Sequence, residues 1–472
     1  MTKPILIIQM QRLGDLVLTY PLMGWLARLF PNNPLWVVGE ERFFPGLMDF
    51  SPPAVFFSHT AAQRLRTNAY ALVINLSHRP EALELAGSVA SEECIGAYRD
   101  PKTGATFIRG NWQLYRASLV HNNRYNLYHW ADMNMLDVVP KQKFPATIWT
   151  PPRQEAPSHS AHIGLFLGAS EKDKHPDAPF WAALAGELLQ AGHRPVLLGG
   201  EAEKALGREV ASILQAPALN LTGNFGIRDL CLFISKLNLL VTPDTGPMHL
   251  ASWTSTPVLN ISTGPVNAWE TGPFSPGHHV LRAALPCVGC WHCTQSKVLC
   301  KEHLNAKRTA FLIHEIVSGK KESLHRAVLE DQELLRTGRG KYGLYTLEHI
   351  IGTTPPRQIS ALFWQAFFGH IFGLMPEEEL ANAWRTFKEA SPGNAPAFSA
   401  SLIKLSRDIA GHLRNPAASL LRKENFWAAF PLPLRPLTSY LHLFLQNSQF
   451  SAKAIAEALS LIERLAALDA TA

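Results

Sequence analysis

The stretch VTPDTGPMHLAS, residues 241–252, decides how the chain reads. The apolar run Leu237–Val241 that leads into it reads as a buried strand. The chain then turns at Pro243, Asp244, Thr245 and Gly246 and enters a helix around Pro247. A strand that ends in a small polar turn and opens a helix is an anion site in α/β proteins. The first helical N–H groups lack partners there, and the helix dipole favours negative charge. Asp244 and His249 add groups that hydrogen-bond hydroxyls or titrate. The stretch therefore predicts a site for a nucleotide or a sugar phosphate.

The surrounding pattern repeats this unit. Strands are expected at Ile163–Leu167, Pro195–Leu198, Leu219–Leu221, Leu237–Val241 and Val258–Ile261. Helices fit Phe180–Gln190, Glu201–Leu214, Ile227–Lys236 and Pro247–Trp253. The turns Gly168-Ala169-Ser170, Gly199-Gly200, Asp244-Thr245-Gly246 and Ser262–Pro265 all follow strands, at the ligand edge of a doubly wound parallel sheet. The first 150 residues alternate in the same way, with strands at Ile5–Ile8, Leu35–Val38, Val55–Phe57 and Leu72–Ile74 and a helical pattern over Leu16–Phe30. TPPRQEAPSHS, Thr150–Ser160, is Pro-rich and polar and reads as a linker. Neither half carries a Gly-x-Gly-x-x-Gly turn, which argues against a dinucleotide site of the usual kind. The expected organisation is α/β: a Rossmann-like domain over residues 1–152, a second over 160–330, and a helical extension over 331–472, with a strand signal at Tyr342–Leu347 and no assigned chemical role.

A chain of 472 residues, 47% apolar, is too long for one core and suits two or three. The net charge of +6, from 44 basic and 38 acidic residues, suits an anionic ligand or membrane surface. No long Lys/Arg block is present, so nucleic acid is not an expected partner. The apolar run Ile5–Ile8 is too short for a signal peptide, and no segment reaches the ~18 apolar residues of a membrane span. The expected location is the cytoplasm, with any contact at the inner membrane face peripheral. Six cysteines in a chain this long do not form a disulfide scaffold.

Two Rossmann-like halves joined by a linker describe the GT-B architecture, and three blocks carry a closer likeness. ILIIQMQRLGDLVLTYP (residues 5–21), GLFLGASEKDKHPDAPFWAAL (164–184) and VTPDTGPMHLASWTSTPVLNISTGPVNAWETGPF (241–274) stand in the order and spacing of one family. They resemble the opening, phosphate-binding turn and donor-site block of glycosyltransferase family 9, which includes the ADP-heptose:lipopolysaccharide heptosyltransferases. The likeness covers roughly residues 1–305. The turn has Ala169-Ser170 where the family often has two hydroxyl residues. The resemblance implies an inverting glycosyltransferase that moves a sugar, with heptose a candidate, from a nucleotide-diphosphate sugar to a lipopolysaccharide-type or other surface-glycan acceptor. Two rivals share the fold: a sugar-nucleotide epimerase, and a non-catalytic glycosyltransferase-like protein that binds a partner.

Each singled-out residue has a plainer reading beside the implied one. Asp15, after Gly14, is either a helix cap or the base that takes the acceptor proton; at a helix N-terminus its pKa is expected to fall. Lys174 is an exposed loop lysine or, by the resemblance, the cation on the leaving diphosphate. Gly168 and Ser170 belong to the same phosphate turn. Asp244, Thr245 and Gly246 are plain turn residues or, as in the family, a sugar-binding Asp followed by amides that face the diphosphate. His249, one helical turn on, is a donor contact or a core histidine. Glu201 is a ribose ligand or a helix N-terminal acid, with Glu203 its competitor. Trp112, Tyr115, Tyr125, Tyr128 and Trp130 are mostly core, with Arg116 and Arg124 as candidate acceptor ligands.

The sequence contains no Asp-x-Asp motif, so catalysis is expected to need no cofactor beyond the nucleotide-sugar substrate. Cys287, Cys290, Cys293 and Cys300 have a spacing that suits a structural zinc or iron–sulfur site. Reduced cysteines in an ordered loop are the preferred reading.

Overall fold

The computed structural model describes residues 2–154, 158, 160–320, 324, 331–390, 392, 394–416 and 419–470. The first half is a six-stranded sheet of β1 (Ile5–Ile8), β2 (Leu35–Gly39), β3 (Val55–Ser58), β4 (Ala69–Asn75), β5 (Ala90–Arg99) and β6 (Thr106–Arg109), in the order β3-β2-β1-β4-β5-β6. Only β6 runs antiparallel, on β5. All four β1 residues are buried, as a strand covered by helices on both faces must be. The expected helix over Leu16–Phe30 is two helices, Leu13–Val17 and Tyr20–Leu29. Pro21 has no N–H to bond back to residue 17, and the Thr19 hydroxyl donates to the Leu16 carbonyl at 2.6 Å. Strands β5 and β6 escaped the sequence reading because β5 begins ASEE and is exposed over its first four residues.

The second sheet holds β7 (His162–Phe166), β8 (Arg194–Leu198), β9 (Leu219–Asn220), β10 (Leu239–Thr242), β11 (Val258–Ser262), β12 (His279–Ala283), β13 (Gln332–Arg339) and β14 (Tyr345–Ile351). Its order is β14-β13-β12-β11-β10-β7-β8-β9. The hairpin β13–β14 pairs antiparallel on β12, so the sheet runs past residue 330 into the segment expected to be helical. Gly338, Gly340 and Gly343 stand at Gly-x-Gly-x-x-Gly spacing, but they form the turn of this hairpin: Gly340 N–H donates to Leu344 O at 2.9 Å, and Gly343 has a φ of +75°.

After β14 the chain returns to the first half. Two of its helices, Pro356–Ile371 and Arg435–Asn447, pack on the first domain, and Glu377–Ala390, Asn394–Arg414, Glu424–Ala428 and Ala452–Ala470 pack on these two or on one another. The Phe368 ring lies 4.4 Å from Tyr115 and the Phe372 ring 4.9 Å from Trp112. Trp112, Tyr115 and Tyr128 are therefore core residues, each buried in this contact. Asn447 mimics a neighbouring strand at the edge of β6, accepting from Ile108 N–H at 2.6 Å and donating to Ile108 O at 2.9 Å.

The two halves meet through buried polar contacts. Asp132 accepts from Arg339 at 2.6 Å and from Tyr345 N–H at 2.8 Å, and the neutral His129 ring donates to Gly272 O at 2.9 Å. Among the described residues, no helix is long and apolar enough to cross a membrane.

Because one apolar core joins the first domain to the extension, Phe368→Ala is expected to remove about 3–5 kcal/mol of stability. Urea unfolding should show one shifted transition. A loss below about 1 kcal/mol would mean that the extension is only loosely attached.

Candidate active site

In each sheet the strand order reverses at one place, between β1 and β4 in the first and between β7 and β10 in the second. Ligands of open α/β sheets bind at such crevices, beyond the strand C-termini. Gly14 and Asp15 follow β1, the turn Gly168–Lys174 follows β7, and Asp244–Gly246 follows β10. The helices Leu13–Val17 and Gly246–Trp253 face each other across the cleft. Their approach leaves no room for side chains. A Cβ on Gly14 would stand 2.8 Å from the His249 ring, and one on Gly246 would stand 2.7 Å from Leu13. Arg12 bridges the gap, donating to Ser170 Oγ at 2.8 Å and lying 3.7 Å from Glu171.

Asp15 is the third residue of its helix and accepts the Arg12 backbone N–H at 3.1 Å, so it holds the helix end without being its N-cap. Its carboxyl pKa does not fall as the helix N-terminus suggested. Burial pushes it above the ordinary range, against the pull of Arg116, the Arg12 N–H and Arg12 itself. A five-residue helix has a weak dipole, and desolvation in the closed cleft outweighs it. Arg116, grouped from sequence with acceptor ligands, is the main cation acting on Asp15. It donates to Asn134 Oδ1 at 2.7 Å and lies over the Trp130 ring.

Burial also pushes Asp244 up to about 6, opposed by the Thr271 hydroxyl, which donates to its Oδ2 at 2.5 Å, and by Lys174. His249 lies 3.8 Å from the other oxygen. Burial holds its pKa down at about 3, so the ring is neutral, and Nδ1 has no partner among the described residues. The helix Gly246–Trp253 has no side-chain cap at its N-terminus, which leaves its leading amides to a ligand.

Lys174 is largely buried and pairs with Glu171 at 2.9 Å. Glu171, which the sequence reading missed, thus serves Lys174 of its own turn and Arg12 of the other half, and Lys174 holds its carboxyl below the usual range. Gly264 needs its φ of +74°, and a Cβ there would sit 2.3 Å from Asp173 O, so the loop after β11 rests on the lysine turn. Of the two candidate ribose acids, Glu203 packs against Gly168 and accepts Gly200 N–H at 2.7 Å. Glu201 is 79% exposed and pairs outward with Lys204, so the structure does not bring it to the cleft.

Cys287, Cys290, Cys293 and Cys300 are free thiols beside this loop, and Cys300 Sγ accepts Gly264 N–H at 3.1 Å. Burial and the neighbouring sulfurs raise the Cys290 pKa. Among the described residues, no group of three or more His, Cys, Asp or Glu side chains is arranged to hold a metal ion. Glu270 also escaped the sequence reading. It is buried where the halves meet, accepting from Asn123 and Asn126, and nothing in the run Trp269-Glu270-Thr271 signals its burial.

Two doubly wound sheets facing across a cleft, with an anion-type turn on one and a buried carboxylate on the other, define a GT-B glycosyltransferase fold. The structure of Escherichia coli ADP-heptose lps heptosyltransferase II has this fold, with a TM-score of 0.52 at 19% identity over 67% of this chain and 99% of that one. The chain belongs to glycosyltransferase family 9 (heptosyltransferase), whose model matches residues 58–299, just over half of the 472. It is 30% identical over 138 residues to lipooligosaccharide heptosyltransferase 2 of Campylobacter jejuni, covering 27% of this chain and 42% of that one. It is 30% identical over 106 residues to lipopolysaccharide heptosyltransferase 2 of Escherichia coli, covering 22% of this chain and 30% of that one. The matches therefore span less than half the length of these curated relatives.

Glycine replacement tests the closeness of the halves. Gly14→Ala should destabilise by about 1–3 kcal/mol through overpacking on His249. Gly24→Ala, where nothing lies within 4 Å, should be neutral or stabilise by up to about 1 kcal/mol. Equal melting temperatures for the two variants would contradict the packing described.

Proposed function

We propose that the protein is an inverting glycosyltransferase. The observation that carries this is the placement of Asp15, at the switch point of one sheet, opposite the Asp244–Gly246 turn at the switch point of the other. A nucleotide-diphosphate sugar binds the second domain. Asp244 accepts hydrogen bonds from sugar hydroxyls, while Thr245 and Gly246 turn backbone amides to the diphosphate. Lys174 leaves Glu171 for the diphosphate and stabilises the charge that grows on it as it departs. Ser170 and Gly168 complete the phosphate turn, and His249 backs Asp244. The ribose is assigned to an acid after Gly200, with Glu203 better placed than Glu201.

The acceptor binds the first domain beside Asp15. Its oxygen forms the new bond to the anomeric carbon as the bond to the diphosphate oxygen breaks, and its proton passes to Asp15. A single displacement inverts the anomeric centre. The raised carboxyl pKa of Asp15 suits a base better than the lowered one expected from sequence. Family membership and the named relatives support a heptose donor and a lipopolysaccharide-type acceptor, met at the cytoplasmic face of the membrane through a peripheral contact. The missing Asp-x-Asp motif and the buried Lys174 support metal-independent transfer.

ADP and ADP-heptose should both raise the melting temperature of the protein; absence of any shift at millimolar ligand would remove the donor site. Asp15→Asn should lower kcat by about 100-fold or more with ADP affinity nearly intact. Unchanged kcat would return Asp15 to holding the helix end. Affinity for ADP-heptose relative to ADP should fall as pH drops through about 6, because protonated Asp244 is the weaker acceptor. A ratio constant from pH 5 to 8 would detach Asp244 from the sugar.

A further inference from the structure

Glu270 is 3% exposed and sits in the short helix Ala268–Thr271 of the second domain. Both of its carboxylate oxygens are held by the first domain. Asn123 Nδ2 donates to Oε2 at 2.8 Å and Asn126 Nδ2 to Oε1 at 2.9 Å. The Asn126 amide cannot turn over, because its Oδ1 already accepts from Tyr115 OH at 3.1 Å and from Tyr128 N–H at 3.0 Å. Asn267, at the N-cap of the same helix, donates to the carbonyls of Asn123 and Asn126 at 3.0 and 3.2 Å. The next residue, Thr271, faces the other way and donates to Asp244 at 2.5 Å. Two consecutive side chains thus grip the first domain and the donor turn.

We propose that Glu270 is a positioning residue that couples the Asn123–Asn126 loop of the first domain to the orientation of Asp244, so that sugar recognition and the register of the two halves are set together. This rests on the donor-site reading above. Any polar residue can tie two loops, yet a carboxylate is costly to bury, and its charge has partners. Arg116 and Tyr115 face it from the helix Asn111–Ser118, and Asp244 faces it from the donor turn. Burial pushes the Glu270 carboxyl up to about 7, against the two Asn amides and Arg116 and with the help of Asp244. Above about pH 7 the ionised carboxylate accepts both amides at full strength. As pH falls through that value the grip loses its charge. Arg116, which also acts on Asp15, then has one anion instead of two.

The test is calorimetric titration of the full chain with ADP and with ADP-heptose between pH 6 and 8. Glu270→Ala and Thr271→Val are expected to weaken ADP-heptose binding about tenfold while ADP changes less than about threefold. Glu270→Gln keeps both amide bonds if Asn123 turns over. It should match the natural protein at pH 6 and fall about threefold behind it at pH 8. The inference is overturned if Thr271→Val and Glu270→Gln bind ADP-heptose like the natural protein at every pH, even where melting temperatures drop. If the natural protein binds neither ligand, the donor-site reading fails, and this inference falls with it.

Discussion

Two glycines, one in each half, set the distance on which the site depends. Gly14 lies against the His249 ring and Gly246 against Leu13. Because neither carries a Cβ, the helix starts after β1 and β10 come close enough for Arg12 to reach Ser170. Without that approach the carboxylate of one sheet and the anion-type turn of the other would belong to separate crevices. The contact also explains the neutral His249: it is sealed by its neighbours, and desolvation keeps the proton off.

The same closure governs the acids. Asp15, Asp244 and Glu270 are all lifted by burial, and Arg116, Lys174 and Arg12 are cations that pull against this. The three carboxylates do not ionise independently: the charge of Asp15 raises Asp244, and that of Asp244 raises Glu270. In the proposed donor complex, a diphosphate beside Lys174 would add negative charge and take a cation from Glu171. The charge balance of the cleft would then change with occupancy, and with it the proton affinity of Asp15, the proposed base.

Much of the frame was legible in the sequence because it depends on local rules. Seven of the nine expected strands fall within a residue of β1, β2, β3, β7, β8, β9 and β11, since apolar runs bounded by turns leave little choice. Gly14-Asp15, Gly168 to Lys174 and Asp244 to Gly246 were readable because each lies on a strand-to-helix turn. The long-range features were not. Glu171, Glu270 and Arg116 acquire their roles from residues distant in the chain. The preference of Glu203 over Glu201 is decided by which face of one turn meets Gly168. Of the hairpin β13–β14 only the signal at Tyr342–Leu347 was legible; its place in the sheet was hidden, because it adds to β12 across a gap of nearly fifty residues.

The return of the chain after β14 has a mechanical result. The backbone passes between the halves twice, once through the segment that follows the first domain and once near Gly352–Pro355. A body joined to another at one point can swivel in any direction; joined at two, it swings about the line through both. The extension is bound to the first domain by aromatic packing and by Asn447 on β6, and to the second by Arg357, which donates to Pro286 O and Val288 O, and by Glu379, which accepts from Lys341. Two crossings therefore restrict how the second sheet can move relative to the first more than one crossing would.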